Sequence, residues 1–231
     1  MAATAETKNP KDEVTLSQRV NDFIQKNRKI LFISLIAIIV ILAGFIITVI
    51  TRERAQANAI SQVDAFNRRY AELHPHINTG DVMQQAEIAI LLVELQDFQN
   101  RASGFPAARA YTITANVFTE MQRWAEAEEA WVNAARAAGR TYLAPISFFN
   151  AAVAAEEQGN IQGAIDHYAR AVAFGDVFHF AARAQFSIGR LEEQRNNREA
   201  ALAAYRILLA RWPNDPVWPN LAQNRMILLA E

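Results

Sequence analysis

Residues 145–176 read PISFFNAAVAAEEQGNIQGAIDHYARAVAFGD, two short helical patterns separated by Gln158-Gly159-Asn160. In the first, Phe148, Ala151, Ala152 and Ala155 recur at helical spacing; in the second, Ile161, Ala164, Ile165, Tyr168 and Ala171 do. Gly159 suits a helix stop with φ > 0, and Asn160 can cap the helix that follows. The expected product is an antiparallel helix pair. Ala152 and Ala164 let its backbones approach, while Phe148 and Tyr168 fill the space left over.

The same pattern lies on either side. Ala127, Ala164 and Ala201 are small residues at a spacing of 37, and Trp131, Tyr168 and Tyr205 form a column of large aromatics four residues further on. Ala115, Ala152 and Gly189 form a third column, twelve residues before each member of the first. Three registers repeating together at this period point to a helical solenoid. Abundant alanine with few Gly and Pro agrees with an all-α fold.

These residues resemble the tetratricopeptide repeat. Phe148, Asn150, Gly159, Asn160, Ala164, Tyr168 and Ala171 match the middle copy of its pattern. Ile188, Gly189, Asn197, Ala201, Tyr205 and Pro213 match the last copy; Tyr111, Ala115, Phe118, Trp124, Ala127, Trp131 and Ala134 match the first. The period exceeds the family's usual one of about 34, which longer loops between pairs would absorb. Ala155 and Glu192 stand where the family often has an aromatic, so looser packing is expected there. The resemblance covers residues 107–213 and implies a tetratricopeptide-like α-solenoid of helix hairpins.

The chain has 231 residues, no cysteine and a net charge of −1. Disulfides, thiolate metal sites and a cysteine nucleophile are therefore excluded, and no bulk electrostatic pull towards nucleic acid or an acidic membrane is expected. The four lysines, Lys8, Lys11, Lys26 and Lys29, all precede residue 30.

Residues 1–13 are small and polar, without apolar period, and are expected to form a disordered tail. Residues 14–29 can form a basic-ended amphipathic helix capped by Thr15 with Gln18, either lying at a membrane surface or forming the first turns of a spanning helix. Residues 30–50, ILFISLIAIIVILAGFIITVI, are 21 positions without a charge; at about 1.5 Å per residue they span roughly 30 Å, the hydrocarbon thickness of a bilayer. Ala55-Gln56-Ala57 and Ala57-Asn58-Ala59 look like signal-peptidase sites, but the apolar run exceeds the about 7–15 residues of a signal sequence. An uncleaved transmembrane helix is expected. Cations flank both ends, with the denser cluster (Lys26, Arg28, Lys29) at the N-terminal edge, pointing to a cytoplasmic N-terminus and a soluble domain outside the cytoplasm.

Residues 51–106 are expected to supply a helical stalk and an N-terminal capping pair. Its first helix ends at His74-Pro75-His76, its second runs from Asp81 to Arg101, and Ser103-Gly104-Phe105-Pro106 is a break. The repeats are expected as helix pairs at 107–121 with 124–138, 142–157 with 161–174, and 178–194 with 198–211. Residues 214–231 would add a C-terminal capping helix carrying Leu221, Met226 and Leu229.

No Gly-rich phosphate loop, His-Glu-x-x-His or nucleophile elbow occurs. His74 and His76 have no third ligand at a helical offset nearby, His167 reads as a surface histidine, and the glutamates Glu126, Glu128, Glu129, Glu156, Glu157, Glu192 and Glu193 read as solvated helix exteriors. Neither an enzyme nor a metal or other cofactor is expected. In the register of the resembling family, the first helix of each pair lines a concave groove. That groove would expose Arg109, Thr112 and Asn116, then Phe149, Asn150 and Val153, then Arg183, Phe186 and Arg190. Asn116, Asn150 and Arg183 occupy three places of the carboxylate clamp that some members use, but Thr112 and Ser187 replace two of its cations. The expected partners are proteins or peptide segments in this groove and the lipid bilayer around residues 30–50, with no nucleic acid and an open oligomeric state. In layout the chain resembles YfgM-type ancillary subunits of the Sec translocon. That resemblance implies an interaction adaptor at the bacterial inner membrane with a periplasmic repeat domain, assisting export or envelope assembly; the alternative is a permanent component of a large envelope machine.

Overall fold

The computed structural model describes residues 16–78 and 81–230, which form helices and turns and, among themselves, no strand. The expected tail at 1–13, the Thr15 cap and Thr79-Gly80 fall outside the described residues. The chain divides into two compact units, Met1–Ala55 and Gln56–Glu231.

Helix α1 (Leu16–Leu73) begins in the first unit and ends in the second; within the first unit the basic segment and the apolar run are one continuous helix. Its apolar stretch has a mean hydropathy of 3.3 and is 0% buried, so α1 is long and apolar enough to cross a membrane. The Thr48 hydroxyl donates to the Phe45 carbonyl at 2.7 Å, and Thr51 donates to the Ile47 carbonyl at 2.9 Å, so both polar groups are satisfied within the helix.

In the second unit, the end of α1 packs on α2 (Val82–Arg101) and on α3 (Gly104–Glu120). Val63, Leu91 and Leu95 are fully buried there, and Phe66 meets Phe98 edge to face with centroids 5.7 Å apart. Pro75 sits in a single 3-10 turn at the end of α1. Asp81 accepts from the backbone N–H groups of Met83 and Gln84 and so starts α2.

Three helix pairs follow: α3 with α4 (Trp124–Ala138), α5 (Leu143–Glu157) with α6 (Ile161–Val172), and α7 (Ala181–Gln194) with α8 (Arg198–Arg211). Helix α9 (Trp218–Ala230) packs on α8 through Ala222, Trp218, Met226 and Leu229. Helix α3 begins at Gly104, earlier than the Ser103–Pro106 sequence suggests. Pro106 lies in its first turn, where a missing N–H leaves no intrahelical bond unmade.

The small columns are the contact seams. Ala115, Ala152, Ala127, Ala164 and Ala201 are all 0% exposed, and their small side chains let neighbouring helices pack closely. The turn within each pair also repeats. Gln122, Gly159 and Asn196, spaced by 37, all take positive φ, at 56°, 78° and 58°. Only the middle copy uses glycine for a conformation that costs other residues about 1–2 kcal/mol. Asn160 and Asn197 then accept from the N–H groups of Gly163 and Ala200, capping α6 and α8.

Helix α5 corrects the expected pairing. Its buried aromatic is Phe149, whose ring meets Tyr168 at 5.2 Å and Phe178 at 6.0 Å, while Phe148 is half-buried against Phe174. Ala155 is fully buried in the same cluster, so the packing expected to be loose there is closed.

Candidate functional site

The first helix of each pair, α3, α5 and α7, carries all nine residues expected to line the groove, but the structure sorts them. Arg109 pairs with Asp64 at 2.7 Å, and the Thr112 hydroxyl donates to the Ala108 carbonyl at 3.0 Å, so both are engaged within the fold. Phe149 is core rather than groove lining: it is buried and its ring packs against Tyr168 and Phe178. The exposed Arg183 places its guanidinium over that ring, 5.2 Å from the centroid. Phe186 packs against Tyr205 and Trp218 at 5.5 and 5.2 Å. Arg190 pairs with Glu156. Asn116, Asn150 and Val153 come together: with Thr119, Trp124 and Trp131 they line an open cavity of about 180 Å³ between α3, α4 and α5.

A ladder that spacing alone does not reveal runs along this face. In the second pair the Tyr168 hydroxyl donates to Glu156 at 2.7 Å, and Arg190 of α7 pairs with the same carboxylate. In the third pair the Tyr205 hydroxyl donates to Glu193, and Arg225 of α9 pairs with it. Glu156 and Glu193 sit twelve residues before their tyrosines, so each bond ties the two helices of a pair, and each arginine ties that pair to the next element. Burial, and then the adjoining carboxylate, push the Tyr168 and Tyr205 phenols well above their ordinary range. Burial also pushes the Glu193 carboxyl up, but the hydrogen bonds from Arg225 and Tyr205 outweigh it and hold it below its usual value. One signal of the ladder is present in the sequence: Thr119, Glu156 and Glu193 repeat at 37 in step with the aromatic column.

His167 is a second correction. It is 8% exposed rather than at the surface, and its Nε2 lies 2.9 Å from Oε1 of Glu128 on α4, whose other oxygen accepts from Gln158. This hydrogen bond joins the second helices of neighbouring pairs, α4 and α6. Glu128, Glu156 and Glu193 are therefore partly buried ties between helices, while Glu126 bonds Arg123 on the outside, a contact that lowers its carboxyl pKa. His74 lies 3.2 Å from Glu120, fastening the turn after α1 to the end of α3.

A wider depression of about 420 Å³ separates α2 from α4, lined by Tyr111, Thr114 and Phe118 of α3 among others. Gln99 of α2 donates to the Thr114 hydroxyl at 2.7 Å across its floor. Each of these arrangements presents shape and hydrogen-bonding groups, and none sets a base beside a nucleophile among the described residues.

The tetratricopeptide repeat signature matches residues 114–177 and 176–216. A TPR repeat-containing protein of Treponema pallidum (strain Nichols) is 32% identical over 227 residues, covering 92% of this chain and 93% of the relative.

Proposed function

Since the chain belongs to the tetratricopeptide repeat family, whose repeats are protein–protein interaction modules, we propose that it is a membrane-anchored adaptor. Its partner segments dock on the face of α3, α5 and α7, the concave side of such a solenoid. The observation that carries this reading is the open cavity where Asn116, Asn150 and Val153 converge, on a face where Arg109, Thr112 and Arg190 are engaged within the fold. The anchor is the exposed apolar stretch of α1. The denser cationic cluster at its N-terminal edge favours a cytoplasmic N-terminus with the repeats on the periplasmic side. The similarity of layout to YfgM-type subunits then favours service to exported chains or envelope assembly at the bacterial inner membrane.

Photo-crosslinking in intact cells tests this reading, with the crosslinker at Asn150 or Arg183 and, as control, at Arg206 on the exposed side of α8. Adducts to the same protein from 150 and 183 but not from 206 are expected. Equal labelling from all three positions overturns the assignment of the face. Retention of the chain in vesicles through a carbonate wash checks the anchor; release into the supernatant removes it.

A further inference from the structure

We propose that the cavity between α3, α4 and α5 anchors a neutral aliphatic side chain presented by an extended partner segment. This inference deepens the docking face proposed for α3, α5 and α7 and rests on it. Symmetry and charge both point to it. At two places on the face the chain fills the seam itself, with Arg190 on Glu156 and with Arg225 on Glu193. At the equivalent place in the first pair both charges are missing. Thr119 stands where Glu156 and Glu193 stand, and Val153 stands where Arg190 does. Trp131 replaces the tyrosine and donates its indole N–H to the Thr119 hydroxyl at 3.4 Å. Val153 is too short to cover the seam as an arginine would, and the space of about 180 Å³ is what results.

No charged side chain lines this cavity. A carboxylate or guanidinium entering it would shed water with no counter-charge to meet, a cost of several kcal/mol in comparable settings. A neutral apolar group suffers no such loss. A cavity of about 150 Å³ with apolar walls is known to admit benzene, so this one suits a valine, leucine or isoleucine side chain against Trp124, Trp131 and Val153. Asn116 and Asn150 add two carboxamides, each with both donor and acceptor atoms. That pairing suits the N–H and C=O of an extended main chain flanking the buried side chain. Arg183 is not among the lining residues, so the cavity lacks the cation that capture of a terminal carboxylate requires.

The test uses the full chain in lipid nanodiscs with 5-fluorotryptophan at its four tryptophans, each ¹⁹F signal assigned by a single Trp→Phe change. The probes are acetyl-Ser-Gly-X-Gly-Ser-amide peptides with X as Leu, Glu or Arg. The Leu peptide is expected to shift the Trp124 and Trp131 signals saturably while Trp212 and Trp218 stay in place. The Glu and Arg peptides should bind at least about tenfold more weakly. Two variants remove the cavity in different ways: T119E/V153R installs the pair used elsewhere on the face, and V153F puts an aromatic ring into the space where a Leu side chain would sit. Both should lose the Leu response with Trp212 and Trp218 signals unchanged, and V153F decides the matter if the double variant does not fold. Absence of any Trp131 shift with the Leu peptide at millimolar concentration overturns the proposal, as does an equal response to the Glu peptide or a Leu response that survives in V153F. Crosslinks from Arg183 that persist in V153F sink the cavity while sparing the face. Their absence in the unaltered chain sinks the face itself.

Discussion

At Gly189 of α7, helix propensity and packing give opposite signs for substitution by alanine. In a helix interior alanine is better than glycine by about 0.8–1.0 kcal/mol, and the equivalent positions in the other two pairs, Ala115 and Ala152, already carry it. The structure reverses that expectation. A Cβ built at Gly189 would lie 2.4 Å from Cε1 of Tyr205, 2.7 Å from Cζ and 2.8 Å from Cδ1. Carbon atoms rest at about 3.5–4.0 Å, so the ring would have to retreat by roughly 1 Å. It has little freedom to do so: Tyr205 is 0% exposed, its hydroxyl is bonded to Glu193, and Phe186 lies against it at 5.5 Å. Overpacking of this kind costs about 1–3 kcal/mol. With a rigid ring the upper end applies, and after the propensity gain the net loss is roughly 2 kcal/mol. For a chain of this size that is a fall of about 4–8 °C in melting temperature. Far-UV circular dichroism melts of the chain in one detergent, for G189A, Y205L and the double variant, measure it. In the Y205L background the obstruction is gone, so G189A should stabilise by about 1 kcal/mol. A melting temperature for G189A at or above that of the unaltered chain, or an equal loss in both backgrounds, would refute the reasoning.

Gln122→Gly should stabilise the chain by roughly 1 kcal/mol, because Gln122 holds φ at 56° where glycine carries no steric cost; a urea midpoint that falls instead refutes this. Glu128→Ala should cost about 1–3 kcal/mol by stripping His167 and Gln158 of their shared acceptor, whereas the exposed neighbour Glu129→Ala should stay within about 0.5 kcal/mol. Equal effects in the same urea titration would deny Glu128 its interior role. The ladder also sets a pH profile. The phenols of Tyr168 and Tyr205 are raised above the unfolded value of 10.0, so their stabilisation is complete below pH 10 and is lost as pH rises through and beyond it. The Glu193 carboxyl is lowered below 4.5, so its stabilisation is present above pH 4.5 and fades as pH falls further. Stability measured against pH should decline at both ends, with a flatter alkaline limb in Y168F/Y205F and a flatter acid limb in E193Q.

Helix α6 and helix α5 show how far periodicity reaches. In α6 the apolar residues occupy one side, and Ala164, Ile165, Tyr168 and Ala171, inward by their spacing, are all buried. In α5 almost every position is apolar, so spacing does not select a side, and it gives Phe148 the place that Phe149 holds. His167 escapes a sequence reading for a related reason. Its own helix gives no sign of burial, because the group that covers it, Glu128, comes from a helix 39 residues earlier.

The helical period, the pairing of neighbouring helices, the Gly159 turn with its Asn160 cap and a stretch apolar enough for a bilayer are legible in the order of residues alone. All of these depend on residues within a turn or two of one another, or on a repeat that can be counted. Which side chains the face leaves available follows only from the packed fold. A glutamate on one helix meets a tyrosine twelve residues later and an arginine more than thirty residues away. Those meetings depend on the rotation of each helix and the distance between axes, which side-chain volume sets only once the helices are packed. The cavity beside Thr119 and Val153 is the clearest instance: two neutral residues with nothing to mark them locally border an open space where the neighbouring copies carry paired charges.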